Sequence, residues 1–292
     1  MKYMGFEIIT DSSANLPEHM IEEFGIHILS LVFRVKEEEY RSYKKGETTD
    51  LTKFYTMMRE KENITTSLIN VEDCTTCMTT LLEEGKDILY IGFSSGLSGS
   101  YQVVEMVANQ LREEYPRRKI YVVDTLAAAL GEGLLVYYAC QKRIKGQTIE
   151  EVYGWLMENR LNLCHWFTVD DLFFLQRGGR VSGVAALFGS MLSIKPVMHV
   201  DDEGHLIVME KARGRRKSLD ALVAHMEETA LHPEEQYVFI SHGDCLEDAK
   251  YVEEKVREKL KVKDVLVHIL DPVIGAHSGP GTVALFYVGT KR

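Results

Sequence analysis

Asp87-Ile88-Leu89-Tyr90-Ile91-Gly92-Phe93-Ser94-Ser95-Gly96-Leu97-Ser98-Gly99-Ser100 is the stretch that decides the fold. Its first seven residues form an apolar run too short for a buried helix and right for a strand covered on both faces. A Ser/Gly loop follows, then a helical stretch from Tyr101 to Tyr115 that Pro116 ends. Lys119–Asp124 (KIYVVD) is the next strand. Strand, loop, helix and strand in this order imply parallel pairing through a right-handed crossover.

The pattern extends in both directions. Phe6–Thr10 reads as a strand, Pro17–Phe24 as a helix stopped by Gly25, and Ile26–Phe33 as a second apolar strand. Asp50–Glu60 and Glu72–Glu84 are helical, as is Ala127–Arg143. Thr148 with Glu151 makes a capping box for a helix reaching Asn159. Beyond residue 160 the order changes. Cys164–Val169 is a strand, followed by a short helical piece and Gly178-Gly179. Pro196–Val200 and His205–Lys211 form a hairpin across Asp201–Gly204. Helices over Ser218–Ala230 and Leu246–Leu260 alternate with strands Tyr237–Ser241, Asp264–Leu270 and Val283–Val288. The expected fold is α/β with two domains. Residues 1–160 form a mostly parallel, Rossmann-like sheet with flanking helices, and residues 161–292 a mixed α+β sheet domain.

A chain of 292 residues suits two such domains. Thirty-four Lys and Arg against forty-four Asp and Glu give a net charge of −10, which argues against general binding to nucleic acid or anionic membranes. No export segment opens the sequence, and no run reaches a membrane span; Ala127–Ala139 and Val184–Leu192 are the longest apolar passages. Five cysteines make a poor disulfide framework, so a reducing cytoplasm is the expected location.

Several segments carry chemistry. Ser94–Ser100 joins a strand to a helix and offers backbone N–H groups, a helix dipole and hydroxyls, which suit an anion; a plain helix cap is the alternative. It lacks the residues of a nucleotide loop. Thr10-Asp11-Ser12-Ser13 sits where ligands collect in doubly wound sheets, or is an Asx turn. Thr66 and Ser67 can join Ser94–Ser100 in one hydroxyl-rich pocket. Gly275-Ala276-His277-Ser278-Gly279-Pro280-Gly281 either lets backbone approach a ligand closely beside one His or is a glycine-rich turn with a surface His. Arg177-Gly178-Gly179-Arg180-Val181-Ser182 is an anion nest or a helix stop, and the apolar run Val184–Phe188 beyond it reads as core. Lys211–Lys217 places five cations in seven residues, a docking surface for an acidic partner or a solvated helix start. Cys74 and Cys77 have redox spacing near a helix N-terminus, where the dipole lowers a thiol pKa. No second ligand pair of the right spacing accompanies them for zinc, and Cys164-His165 is a poor candidate, because adjacent strand residues face opposite ways. No metal site and no catalytic elbow is expected.

Together these segments resemble the DegV family of bacterial fatty-acid-binding proteins. The resemblance rests on Thr10–Pro17, Thr66-Ser67, Ser94–Gln102, Val123-Asp124 with Gly131 and Gly133, Leu175 with Gly178-Gly179-Arg180, Lys195-Pro196, and Ile274–Gly281. It implies a long-chain fatty acid bound between two domains, with no other cofactor. The carboxylate would be held by Thr66, Ser95 and His277, in loops that also carry Ser67, Gly96, Ser98 and Ser278, with Arg180 nearby. It further implies that the chain is not itself an enzyme. It would present the acid to a separate ATP-dependent fatty acid kinase, which makes acyl phosphate for phospholipid synthesis. Arg213, Arg215 and Arg216 would dock that kinase, and cargo exchange allows transient membrane contact. Burying about fourteen CH₂ groups yields at most ~11 kcal/mol, so the tail would supply affinity and the hydroxyls would fix the head. The chain departs from the family pattern at Leu68-Ile69-Asn70, where many relatives carry Gln-Pro-Ser, at Thr125 in place of Ser, and at Ser278 in place of Thr. A competing reading is a small-anion enzyme, a phosphoryl transferase or hydrolase using Asp11 and His277.

Overall fold

The computed structural model describes residues 5–181 and 194–292. Ser182 and the apolar run Val184–Phe188 lie outside the described residues. Strands β1 (Phe6–Asp11), β2 (His27–Leu29), β6 (Asp87–Gly92) and β7 (Ile120–Asp124) form a parallel sheet in the order β2-β1-β6-β7. Helix α1 (Glu18–Phe24) ends on Gly25 in the left-handed region, as its stop signal requires. Helices α3 (Val71–Glu83) and α4 (Ser100–Glu114) supply the crossovers around β6.

The expected strand Ile26–Phe33 is two strands in different sheets. Ser12 and Ser30 cause the break. Ser12 Oγ accepts from the Leu31 N–H and Ser30 Oγ from the Tyr43 N–H, so side chains take ladder bonds there. After the break, β3 (Val32–Val35) pairs with β4 (Glu38–Arg41) and β5 (Ile64–Ser67) in a small antiparallel sheet, β4-β3-β5. Helix α2 (Leu51–Arg59), capped by Asp50, lies between β4 and β5 in the chain.

Helix α5 (Leu130–Ile144) is buried nearly all round, as its apolar composition demands. It packs against both β6 and the strands of the second sheet. Helix α6 (Ile149–Asn159) opens with the Thr148–Glu151 capping box. The second sheet is mixed, in the order β10-β9-β8-β13-β11-β12. Its strands are β8 (Leu163–Thr168), β9 (Ile194–Val200), β10 (Leu206–Arg213), β11 (Tyr237–His242), β12 (Asp264–Ile269) and β13 (Val283–Val288). Only β11 and β12 pair in parallel. Helices α7 (Phe173–Arg177), α8 (Arg215–Thr229), α9 (Leu246–Leu260) and α10 (Pro272–Ser278) complete it. Gly275–Ser278, expected as a turn, forms the body of α10. Asp271 caps this helix through the Ile274 N–H, and Pro272 occupies its first position.

Side chain to backbone hydrogen bonds are among the contacts that join the halves. The Ser94 hydroxyl donates to the Gly204 carbonyl at the β9–β10 turn, 2.9 Å away. The Arg292 guanidinium donates to the carbonyls of Leu126, Arg160, Leu163 and Asp201, at 2.7–3.1 Å.

Candidate functional site

A cleft opens where the carboxyl ends of the parallel strands meet the inner face of the mixed sheet. The empty space along it is about 850 Å³, the open solvent at its mouth included. Leu31, Phe93, Ala128 and Ala129 line it from loops after β2, β6 and β7. Phe167 of β8, Ala284 of β13 and Leu206 of β10 line it from the mixed sheet, and Val273 and Ile274 from α10. These walls are apolar.

One region of the cleft is polar. Thr66 Oγ1, on β5, lies 2.8 Å from His277 Nε2 in the last turn of α10. Burial, followed by the Arg180 and Arg177 guanidinium groups, pushes the His277 imidazole down to about 4. The ring is therefore neutral at pH 7, with one donor and one acceptor nitrogen. Ser278 Oγ is buried with no partner among the described residues. Ser98 Oγ lines the wall at the start of α4, 3.0 Å from Ser100 Oγ. Arg180 is held by its own bonds to the Leu97 carbonyl, at 3.2 Å, and to the Gly178 carbonyl. Its guanidinium supplies positive charge to the cleft wall. Gly178 is needed for close approach: a Cβ there would run into the His277 ring. Gly279, with φ +81°, caps α10, and a Cβ there would meet the Phe174 ring.

The structure thus brings Thr66, Ser67, Ser98, Arg180, His277 and Ser278 to one cleft. It does not bring Ser95 and Gly96 there. The Ser95 N–H donates to the Asp124 carboxylate, and Gly96 packs against the Glu203–Gly204 backbone. The β9–β10 turn covers that side of the loop, so only its Ser98 end faces the cleft.

A scan against family models matches residues 5–290 to the DegV family, described as uncharacterised proteins. The chain belongs to the DegV family. A DegV domain-containing protein of Clostridium perfringens is 44% identical over 98% of both chains. Among solved structures, a DegV family protein from Thermus thermophilus described for its fatty acid binding superposes with TM-score 0.87 at 30% identity, covering 98% of this chain and 100% of that one. DegV of Bacillus subtilis, a fatty acid binding protein, gives TM-score 0.84 at 27% identity, covering 98% and 100%.

Within this DegV chain the Leu68-Ile69-Asn70 departure has a structural account. Asn70 caps α3 by accepting from the Glu72 and Asp73 N–H groups, and Ile69 is buried in the core. Leu68 lines the cleft yet is 45% exposed, which puts an apolar side chain at the mouth.

Asp11 and His277 do not share a cleft. Asp11 is fully buried at the end of β1, accepting from Ser13 N–H, Phe93 N–H and Tyr90 O–H at 2.7–3.1 Å. Next to it lies Glu132, which sequence reasoning missed. Thr10 Oγ1 donates to the Ile91 carbonyl at 2.6 Å and lies 3.0 Å from Glu132 Oε1. A hydroxyl has one proton, so the second contact needs a proton from Glu132. Burial, then the Asp11 charge, accordingly holds Glu132 well above the usual carboxylate range.

Arg215 is turned inward rather than outward. Its Nε donates to Asp248 at 2.8 Å, and Asp170 lies 3.8 Å away, so a helix-start cation is paired internally. Arg216 stacks 3.6 Å over the Tyr251 ring, and Arg213 is exposed at the end of β10. Burial pushes the Cys74 thiol up to about 12 and Cys77 to about 11, overriding the helix dipole. Cys164 faces the outer core while His165 faces the cleft, as strand alternation requires. Among the described residues no group of three His, Cys, Asp or Glu is arranged for a metal ion, and no helix is long and apolar enough to cross a membrane.

Proposed function

We propose that this protein binds a long-chain fatty acid in the cleft and presents its carboxylate to a separate ATP-dependent fatty acid kinase. The cleft's division carries the reading: apolar walls for a tail, and a polar region formed by Thr66, His277, Ser278, Ser98 and Arg180 for a carboxylate. The fatty acid binding of the solved relatives supports it. The neutral His277 and the hydroxyls orient the carboxylate, while the Arg180 guanidinium on the cleft wall offsets its charge. The acid is thus held with little neutralisation of its reactive oxygens. The protein itself performs no chemistry, acts in the cytoplasm, is built of two domains, residues 1–160 and 161–292, with the ligand between them, and uses exposed Arg213 and Arg216 toward the kinase. Asp11 belongs to the buried network beside Glu132, and nothing in its geometry favours the small-anion enzyme.

Lipid mass spectrometry of gently purified protein should find a long-chain acid at about one per chain. Thr66→Ala, Ser278→Ala and His277→Ala should each weaken binding of the stripped protein by calorimetry. A stripped protein that binds no fatty acid refutes the reading. Arg213→Glu with Arg216→Glu should leave lipid binding intact and reduce acyl phosphate formation by an added kinase. Arg215 is kept in that test because its role is internal.

A further inference from the structure

Inside the otherwise apolar part of the cleft stands one polar ring. His165 lies on β8, only 5% exposed, with its edge on the cleft. The Phe286 and Phe167 rings lie 4.5 Å and 5.6 Å from it between centroids, and the Arg292 charge also reaches it. Its Nδ1 is buried with no hydrogen-bond partner among the described residues. A buried polar nitrogen without a partner costs stability, so its retention in a cleft wall calls for an explanation.

The position along the cleft follows from strand register. Thr168 pairs with Val283, next to Thr282, whose hydroxyl donates to the Ser278 carbonyl at 2.9 Å. His165 is three residues back along β8, or roughly 10 Å from this polar end at ~3.3 Å per residue. An extended chain advances about 1.2 Å per bond, so the ring meets a bound tail about eight bonds from its carboxyl group.

We propose that His165 is a specificity-determining residue that selects acyl chains carrying a mid-chain hydroxyl group. This rests on the fatty-acid reading of the cleft. The chemistry of the ring chooses the group. Burial, then the Arg292 charge, holds the imidazole well below its usual range and so neutral. A neutral imidazole offers one donor and one acceptor, which matches a hydroxyl and not a second carboxylate. A double bond would gain only a weak N–H···π contact.

Calorimetry on the lipid-stripped protein tests this with stearate, 2-hydroxystearate and 10-hydroxystearate. The wild type should bind 10-hydroxystearate roughly tenfold more tightly than stearate, and 2-hydroxystearate should gain nothing comparable. His165→Phe should bind stearate at least as well as the wild type, lose the preference for the mid-chain hydroxyl, and melt at a higher temperature when empty. Equal affinity of the wild type for stearate and 10-hydroxystearate overturns the proposal while leaving the fatty-acid reading standing. A preference that survives in His165→Phe also overturns it. If none of the three acids binds the wild type, the fatty-acid reading itself falls, and His165 with it. His165→Leu serves as the second variant should the Phe variant fail to fold.

Discussion

Replacing Asp271 by Asn should change how stability depends on pH. Asp271 is partly buried at the start of α10, where Oδ1 accepts from the Ile274 N–H at 2.9 Å and Oδ2 from the Ser42 hydroxyl at 2.6 Å. Burial pushes its carboxyl up to about 6 from an ordinary 3.8. An acid raised on folding contributes stability that is full below its unfolded value and lost as pH rises through its folded one. The shift of about two units corresponds to about 3 kcal/mol, lost between roughly pH 4 and pH 6. Asn keeps the cap, since its Oδ1 accepts from Ile274 and its amide can donate to Ser42 Oγ, but it carries no charge to bury. The total curve is a poor guide, because His277 and His268, lowered to about 4, lose their contributions as pH falls through 4. The difference between Asp271→Asn and wild type isolates the acid. It should grow by about 3 kcal/mol in favour of the variant between pH 4 and pH 7.5, read from urea midpoints and m values. Parallel curves would refute the reasoning, and a uniform loss at every pH would mean that Asp271 acts through its cap alone.

Glu132→Gln should fold with stability within ~1 kcal/mol of wild type, because a neutral donor replaces a neutral acid; Glu132→Ala should cost about 2–3 kcal/mol by urea titration. Gly178→Ala should displace the His277 ring and weaken binding of stearate at least tenfold by calorimetry, with a smaller effect on melting temperature. Arg292→Met should destabilise by about 2–4 kcal/mol, since four carbonyls lose a charged donor. Cys74 and Cys77 should react slowly with a thiol reagent at pH 8 in the folded protein and rapidly in urea, because burial keeps both protonated.

Local signals were legible wherever one residue type controls one conformation. Gly25, Gly85 and the Thr148–Glu151 box end or open helices where the sequence says they should. Leu246–Leu260 and Val283–Val288 fall on the expected residues. The losses occur where a distant partner decides. Ile26–Phe33 looks continuous until Ser12 reaches across to Leu31. Ile64–Ser67 reads as a hydroxyl cluster because its strand partner lies thirty residues earlier. In Ser94–Ser100 every hydroxyl looks equivalent; the β9–β10 turn covers Ser95 and Gly96 and leaves Ser98 to the cleft. The pull of Asp248 on Arg215 is equally invisible in a run of cations. The alternation that makes Cys164-His165 a poor zinc pair also, joined to the mixed sheet's register, sends His165 into the cleft.

The contact between Thr66 and His277 spans 211 positions of the chain. Ser94 and Gly204 are 110 apart, and Asn15 bonds the Ile269 carbonyl across 254. Such separations are slow to close, because loop entropy is spent before any contact repays it. During synthesis the parallel sheet can form early, but the cleft has no floor until β13 is made and no polar end until α10 is. A ligand that binds only the completed cleft therefore acts after the last strand docks, adding to the native state alone. Newly made protein should pass through a period in which it is compact, unable to take cargo, and more open to proteolysis than the loaded form.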